Sequence, residues 1–206
     1  MLTVLFKRRL ISLLAVLMLL SGCAVSPPQE RPCGRWETQR PKTEALQRWT
    51  IAGKVSLRTP QQNDMANVDW QQQAPDHYRI MISGPFGLGR NTLEQQGDRA
   101  MLSNSKGTFQ AASPEELMQQ QLGWSLPISS LYYWARALPA PHQPYHMTSD
   151  ACGYPATIDQ LGWHIEYGQW TFADGYWLPS RMKMYYGQLT ATLLFKEWSP
   201  ERYDVE

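Results

Sequence analysis

What the sequence lacks narrows its chemistry first. Cysteine is scarce: there are three, at positions 23, 33 and 152, with no CxxC pair. That removes a catalytic redox dithiol. Histidine is scarce too, with four scattered residues, His77, His142, His146 and His164. No HExxH joins them, and Pro144 separates His142 from His146, so that pair reads as loop histidines rather than metal ligands. There is no GxSxG elbow. Gly84, Gly87 and Gly89 form a run broken by Pro85 and Phe86, with no helix pattern behind it to support dinucleotide binding. No catalytic residue and no metal site is therefore assigned. An excess of one charge is also missing. The formal net charge is +1. A nucleic-acid partner is not expected from such a balance. Beyond residue 20 no apolar run is long enough to cross a bilayer.

What is present starts at the N-terminus. Lys7, Arg8 and Arg9 precede an apolar stretch from Leu10 to Leu20, too short to span comfortably. Leu20-Ser21-Gly22-Cys23 follows, small residues leading into a cysteine. That is the pattern of a lipoprotein signal peptide over residues 1–22, cut just before Cys23. The Cys23 thiol would then carry diacylglycerol and its freed amine a further acyl chain; no other cofactor is expected. The bland alternative is an ordinary signal peptide with an incidental cysteine. Removing Lys7, Arg8 and Arg9 from the 19 basic residues leaves 16 against 18 acidic ones. Residues 23–42, with Pro27, Pro28, Pro32 and Pro41, read as an extended lipidated tether, and 43–206 as one domain with a sizeable core. Cys33 and Cys152 remain. In an oxidising compartment they are either a disulfide or two separate thiols, and the sequence leaves both open.

The domain opens with a short helical pattern over 43–49 and then alternates with period two. Ile51 to Leu57, Asn67 to Gln71 and Tyr78 to Ile82 each put apolar side chains on one face. Further strands are expected at 92–96, 99–103 and 107–111. The period then changes. Ser113-Pro114-Glu115-Glu116 carries an N-cap, a first-turn proline and a capping-box acid, and the helix should stop at Gly123. A second helix is expected from Pro127 to Leu138. Strands return at 157–160, 163–167, 169–172, about 182–186 and 189–195. The fold class is mainly β with α insertions. A single antiparallel sheet of this many strands must curl, and the mid-sequence helices are placed to cover its concave face.

The inward positions collect Trp70, Ile80, Ile82, Trp163, Ile165, Met182, Met184, Leu193 and Phe195, and the helices add Leu117, Met118, Leu131, Trp134 and Leu138. Met and aromatic side chains make adaptable walls. Composition favours a plain core; an apolar cavity is the sharper reading. Pro85, Phe86, Gly87 and Leu88 sit in a Gly/Pro turn between two strands. Loop tips are usually polar, so an apolar tip points to a membrane or partner contact. The alternative is a tip folded back on the core.

These segments carry a resemblance. Gly53-Lys54-Val55-Ser56-Leu57, Val68-Asp69-Trp70-Gln71, the Tyr78-Arg79 strand ending in Gly84-Pro85-Phe86-Gly87, the stretch Leu122 to Ile128 leading to Leu131 and Trp134, and the strands after Leu178-Pro179 together resemble the LolB family of outer-membrane lipoprotein receptors. The match runs through nearly the whole mature domain. It implies an open, unclosed antiparallel β-barrel whose helices cover an apolar cavity lined by the inward residues named above. It implies a non-enzymatic acceptor, anchored by lipid at the outer membrane and facing the periplasm. Its partners would be a LolA-like carrier, acylated cargo lipoproteins and outer-membrane lipid, and a monomer is expected. Ala24, rather than Asp, after Cys23 agrees with sorting to the outer membrane. In the family a leucine protrudes from the loop where Phe86 stands here, so the segment 85–88 is the expected membrane-insertion loop. Cys33 is not part of the family pattern. The rival functions are a structural outer-membrane lipoprotein without cargo and an enzyme acting on envelope lipid or glycan.

Overall fold

The computed structural model describes residues 31–61 and 63–201. Cys23 and the segment before it lie outside the described residues.

One antiparallel sheet holds eleven strands in the order β6-β5-β4-β3-β2-β1-β11-β10-β9-β8-β7. They are β1 (Trp49–Arg58), β2 (Asn63–Ala74), β3 (His77–Ser83), β4 (Asn91–Gln96), β5 (Arg99–Asn104), β6 (Gly107–Ala111), β7 (Tyr145–Ser149), β8 (Pro155–Gln160), β9 (Trp163–Ala173), β10 (Tyr176–Tyr186) and β11 (Leu189–Pro200). The first and last strands pair at the centre, and the chain runs outward on either side. β6 and β7 are unjoined edges, so the barrel stays open. Helices α1 (Trp36–Ala45), α2 (Pro114–Leu122) and α3 (Ile128–Trp134) complete the domain, the last two inserted between the edge strands.

Period-two alternation creates rows of apolar side chains across the sheet. One row runs Ile51, Trp70, Ile80, Leu93, Leu102, Phe109 through successive strand pairs. Another runs Leu57, Ala191, Met184, Ile165, Ile158, Met147. The seam between β1 and β11 carries a bulge at Ala52/Gly53. A Cβ on Gly53 would stand 2.1 Å from the Leu194 carbonyl oxygen, so only glycine fits there.

The helices lie over this face. In α2, Ser113 accepts from the Glu116 amide at 3.1 Å and Gly123 ends the helix at φ 78°. Leu117 and Met118 are buried under it, against β4–β6. In α3, Trp134 donates from Nε1 to Gln160 at 2.8 Å, and Tyr167 donates to the Trp134 carbonyl at 2.8 Å. The Gln160 amide also exchanges two hydrogen bonds with the Ala140 backbone, so a buried polar group is fully used.

Four features differ from the sequence-based expectation. The first helix lies at Trp36–Ala45, not 43–49, mostly inside the segment read as an extended tether and despite Pro41. Tertiary contacts hold it. Trp36 packs on Tyr154 and Trp170, and the buried Arg136 donates to the carbonyls of Thr43 and Leu46 at its end. Burial pulls the Arg136 guanidinium below its usual range, partly offset by Tyr132 and Tyr133. The second inserted helix stops at Trp134, because Ala137 turns left-handed at φ 58° and Arg136 swings inward. An edge strand, β7, was missed and includes His146. Strands expected at 163–167 and 169–172 are the single β9. Cys33 and Cys152 are joined as a disulfide, which ties the residues ahead of α1 to the β7–β8 turn.

Candidate functional site

At one end of the sheet the last residues of β1 and β3 meet the first residues of β2 and β4. The rows there are not filled. Ala66 stands opposite Val55, two residues before Val68 on the same inward face, and offers a methyl where Trp70 further along fills the space with a ring. A cleft of about 350 Å³ opens at this point. Val55, Leu57, Ala66, Ile82, Leu122 and Trp124 form its apolar walls. Trp124 is brought there by the left-handed Gly123 that ends α2. Arg90, Asn91, Asn104 and Lys106 give it a polar rim, with Asp64 on the far side. The volume is at the low end of the range for small-ligand sites, about 300–1,000 Å³.

The loop between β3 and β4 forms the cleft's edge through Gly89. It is closed on itself: the Gly84 amide donates to Leu88 O at 2.8 Å and the Gly87 amide to Gly84 O at 3.1 Å. Inside that closure Phe86 adopts φ 58°, ψ 21°, a left-handed conformation that bulky residues rarely take. Its side chain is 101% exposed, and that of Leu88 71%. The loop does not fold back on the core. Pro85 and Gly87 shape it and Phe86 and Leu88 project from it.

The remaining residues read from sequence as cavity wall are placed differently. Ile82 lines the cleft. Leu138 and Trp163 border two separate hollows, of about 340 and 400 Å³. Trp70, Ile80, Leu117, Met118, Leu131, Trp134, Ile165, Met182, Met184, Leu193 and Phe195 come together as one continuous core, buried against each other. The face is shared as alternation implied, but most of it is occupied by the protein's own side chains. Val55, Leu57, Ala66, Leu122 and Trp124 were not singled out as walls. Their signal was position: strand ends and a helix end adjoining the Phe86 loop, with one small residue among large ones.

Beneath α2, the Tyr78 hydroxyl is pushed well up by burial, with nearby Glu115 adding to the rise. Among the described residues there is no group of three or more His, Cys, Asp or Glu able to hold a metal ion. Nor, among them, is any helix long and apolar enough to cross a membrane.

Comparison with known proteins gives this geometry a context. A LolA-superfamily protein from Nitrosomonas europaea has the same fold, at a TM-score of 0.53 and 9% identity over 81% of this chain and 93% of its own. Outer-membrane lipoprotein LolB from Chromohalobacter salexigens is 50% identical over 188 residues, covering 90% of this chain and 87% of that protein. Outer-membrane lipoprotein LolB from Pseudomonas aeruginosa is 38% identical over 202 residues, covering 95% and 98%. Residues 47–198 match the family described as outer membrane lipoprotein LolB. With most of the chain matched to that family and half of the aligned residues identical in one of its members, this chain belongs to the LolB family of outer-membrane lipoproteins.

Proposed function

We propose that this outer-membrane lipoprotein is the acceptor that takes acylated lipoproteins from a LolA-like periplasmic carrier and passes them into the inner leaflet of the outer membrane. It does so without catalysis. Its own anchor is the N-acyl diacylglycerol on Cys23. Cargo acyl chains enter the cleft walled by Ala66, Ile82 and Trp124, and Phe86 on the adjoining loop engages the bilayer at release.

The physical need is large. A triacylated protein carries about forty methylenes, and at ~0.8 kcal/mol each their exposure would cost on the order of 30 kcal/mol. An acceptor must therefore offer a dry site before the carrier lets go. No chemical step is needed for direction. Transfer runs downhill if the cleft binds the chains better than the carrier and the bilayer better still, and each decade of preference takes only ~1.4 kcal/mol. The cleft holds the end of a chain. A longer stretch is admitted by movement of α2 about Gly123, which widens the gap between its Leu117 and Met118 and the sheet.

The observation that carries this reading is the apolar cleft opening beside a fully exposed phenylalanine. Ala66→Phe tests it by filling the cleft without removing any core side chain. Carrier loaded with a lipoprotein is mixed with the lipidated protein in vesicles, and cargo transfer is timed. The variant should fold normally and slow uptake about tenfold, a loss of ~1.4 kcal/mol. The packed interior behind the cleft favours one competing reading, a scaffold lipoprotein without cargo. Uptake by Ala66→Phe at the rate of the unaltered protein would favour that scaffold instead.

A further inference from the structure

Phe86 is not the sole apolar side chain held out from a left-handed backbone position. Leu161, in the turn between β8 and β9, has φ 53° and is followed by Gly162 at φ 77°. A two-residue hairpin turn of this kind favours Asn, Asp or Gly at its first position, because a bulky residue is strained there. Here the position carries leucine, and it is 46% exposed. Strain combined with apolar exposure at a loop tip is an observation that points toward function.

The strand register shows where Leu161 lies. Asn104 pairs with Gly107, Ile82 with Asn91, and Asn67 with Ser83, which sets the β5–β6 turn beside the Phe86 loop and that loop beside the start of β2. Arg58 pairs with Asn63 on one side and Thr190 on the other, and Tyr186 with Leu189. Tyr185 pairs with His164, and Tyr145 with Gln160. These turns and strand ends form one continuous rim from Lys106 to Tyr145. The exposed large apolar residues collect there: Met65, Phe86, Leu88, Tyr145, Leu161 and Tyr186. Among the described residues the other exposed ones are Phe172, toward the opposite end, and Leu194, mid-strand. The Tyr186 ring is stacked on Trp163 with centroids 5.1 Å apart, so it is braced where it stands. Arg58, Arg90 and Lys106 are exposed on the same rim and form no ion pair among the described residues. Asp64 and Asp159 also lie there, the latter bonded to His164.

We propose that Leu161, with Tyr186 and Tyr145, is a second bilayer contact. It lies further along the same rim from Phe86, with Arg58 between them and Arg90 and Lys106 on the other side of the Phe86 loop, and these basic residues of the rim meet anionic lipid headgroups. Tyrosine at the headgroup level, aliphatic tips below it and cations beside them are the mixture that membrane interfaces select. Two contacts fix orientation where one leaves the domain free to pivot. Together they would turn the mouth of the cleft toward the leaflet that receives the cargo. The inference rests on the acceptor reading for its purpose, but the contact itself is measured separately.

The test uses the full mature lipidated protein in vesicles of phosphatidylethanolamine with a quarter phosphatidylglycerol. Single Phe86→Cys, Leu161→Cys and Phe172→Cys variants carry an environment-sensitive fluorophore. Labels at 86 and 161 should shift to the blue and be quenched by doxyl-labelled lipid, while the label at 172 stays in water. Paired Arg90→Glu and Lys106→Glu substitutions should weaken quenching at 161 on these vesicles and leave it unchanged on pure phosphatidylcholine. A label at 161 that behaves like the one at 172 overturns the proposal. So does one that responds only when a carrier protein is added, since the rim would then be a protein-docking surface. Unaltered transfer by Ala66→Phe with quenching at 161 intact would overturn the acceptor reading and leave this contact standing.

Discussion

The two halves of the sheet spread from the same β1–β11 seam and follow the same alternation, yet they end differently. On the C-terminal side, β9, β10 and β11 run for 11, 11 and 12 residues, and their inward faces are filled by Trp163, Ile165, Tyr167, Met182 and Met184. Three buried polar groups on this side, Gln160, Tyr167 and Trp198, donate to backbone carbonyls, the last to Pro179 O at the β10 bulge. Both halves shorten outward, to β8 and β7 at 6 and 5 residues on the C-terminal side and to β3–β6 at 7, 6, 6 and 5 residues on the N-terminal side. There the inward row reaches Ala66 instead of a large ring, and the space it leaves is the cleft. An apolar face becomes core or binding site according to side-chain size at its end, not according to its periodicity. Substitutions in the packed half should therefore act on stability, and substitutions at the open end on lipid handling.

The largest expected effect lies in the packed half. Trp134→Ala removes a fully buried indole, its contact with Trp163 and its hydrogen bond to Gln160. The cost should be ~3–5 kcal/mol, read as a fall in denaturation midpoint. At temperatures where the variant remains folded, cargo uptake per folded molecule should be nearly unchanged. A stable variant with specific loss of uptake would break the division between the halves, because Trp134 would then be a wall and not a support.

Next comes the open end. A Phe side chain buried in apolar surroundings contributes about 1.5–3 kcal/mol. Phe86→Glu replaces that gain with repulsion from anionic lipid. Cargo should still be taken from the carrier, while delivery into vesicles slows roughly tenfold to a hundredfold. Delivery at the unaltered rate would mean the exposed ring has no part in release.

How much of this division could be read from the sequence depends on which residues carried it. The alternation of Ile51 to Leu57 and Trp163 to Tyr167 made those strands legible, and Ser113 to Glu116 with Gly123 made α2 legible at both ends. The position of α1 was not. Pro41 argues against a helix, and what overrides it is non-local: Trp36 against Trp170, and Arg136 reaching from beyond α3. β7 was hidden because its residues, Tyr145 to Ser149, are mostly exposed at a sheet edge and lack an apolar rhythm. At the site, the Phe86 tip stood out against the rule that tips are polar. The cleft did not, since an empty space is a property of neighbours in three dimensions. Ala66 reads as an ordinary strand alanine until it is seen beside Val55 in the cleft that Ile82 and Trp124 also line.

The smallest effect bears most directly on the rim. A residue with a Cβ held at positive φ costs roughly 1–2 kcal/mol, and Asn tolerates it better than Leu. Leu161 is not repaid by burial, since its side chain is half in water. Leu161→Asn should therefore raise stability by about 1 kcal/mol, seen as a higher denaturation midpoint with an unchanged slope. The same change should weaken attachment of the C-terminal side of the rim to vesicles, seen as reduced lipid quenching of a probe at Tyr186. The two effects have opposite signs, which a purely structural role for Leu161 does not produce. If the residue only closes a turn, Asn improves the fold and leaves the membrane signal alone. If instead the leucine is kept outside at a cost to the fold because lipid receives it, relief of the strain and loss of the contact arrive together.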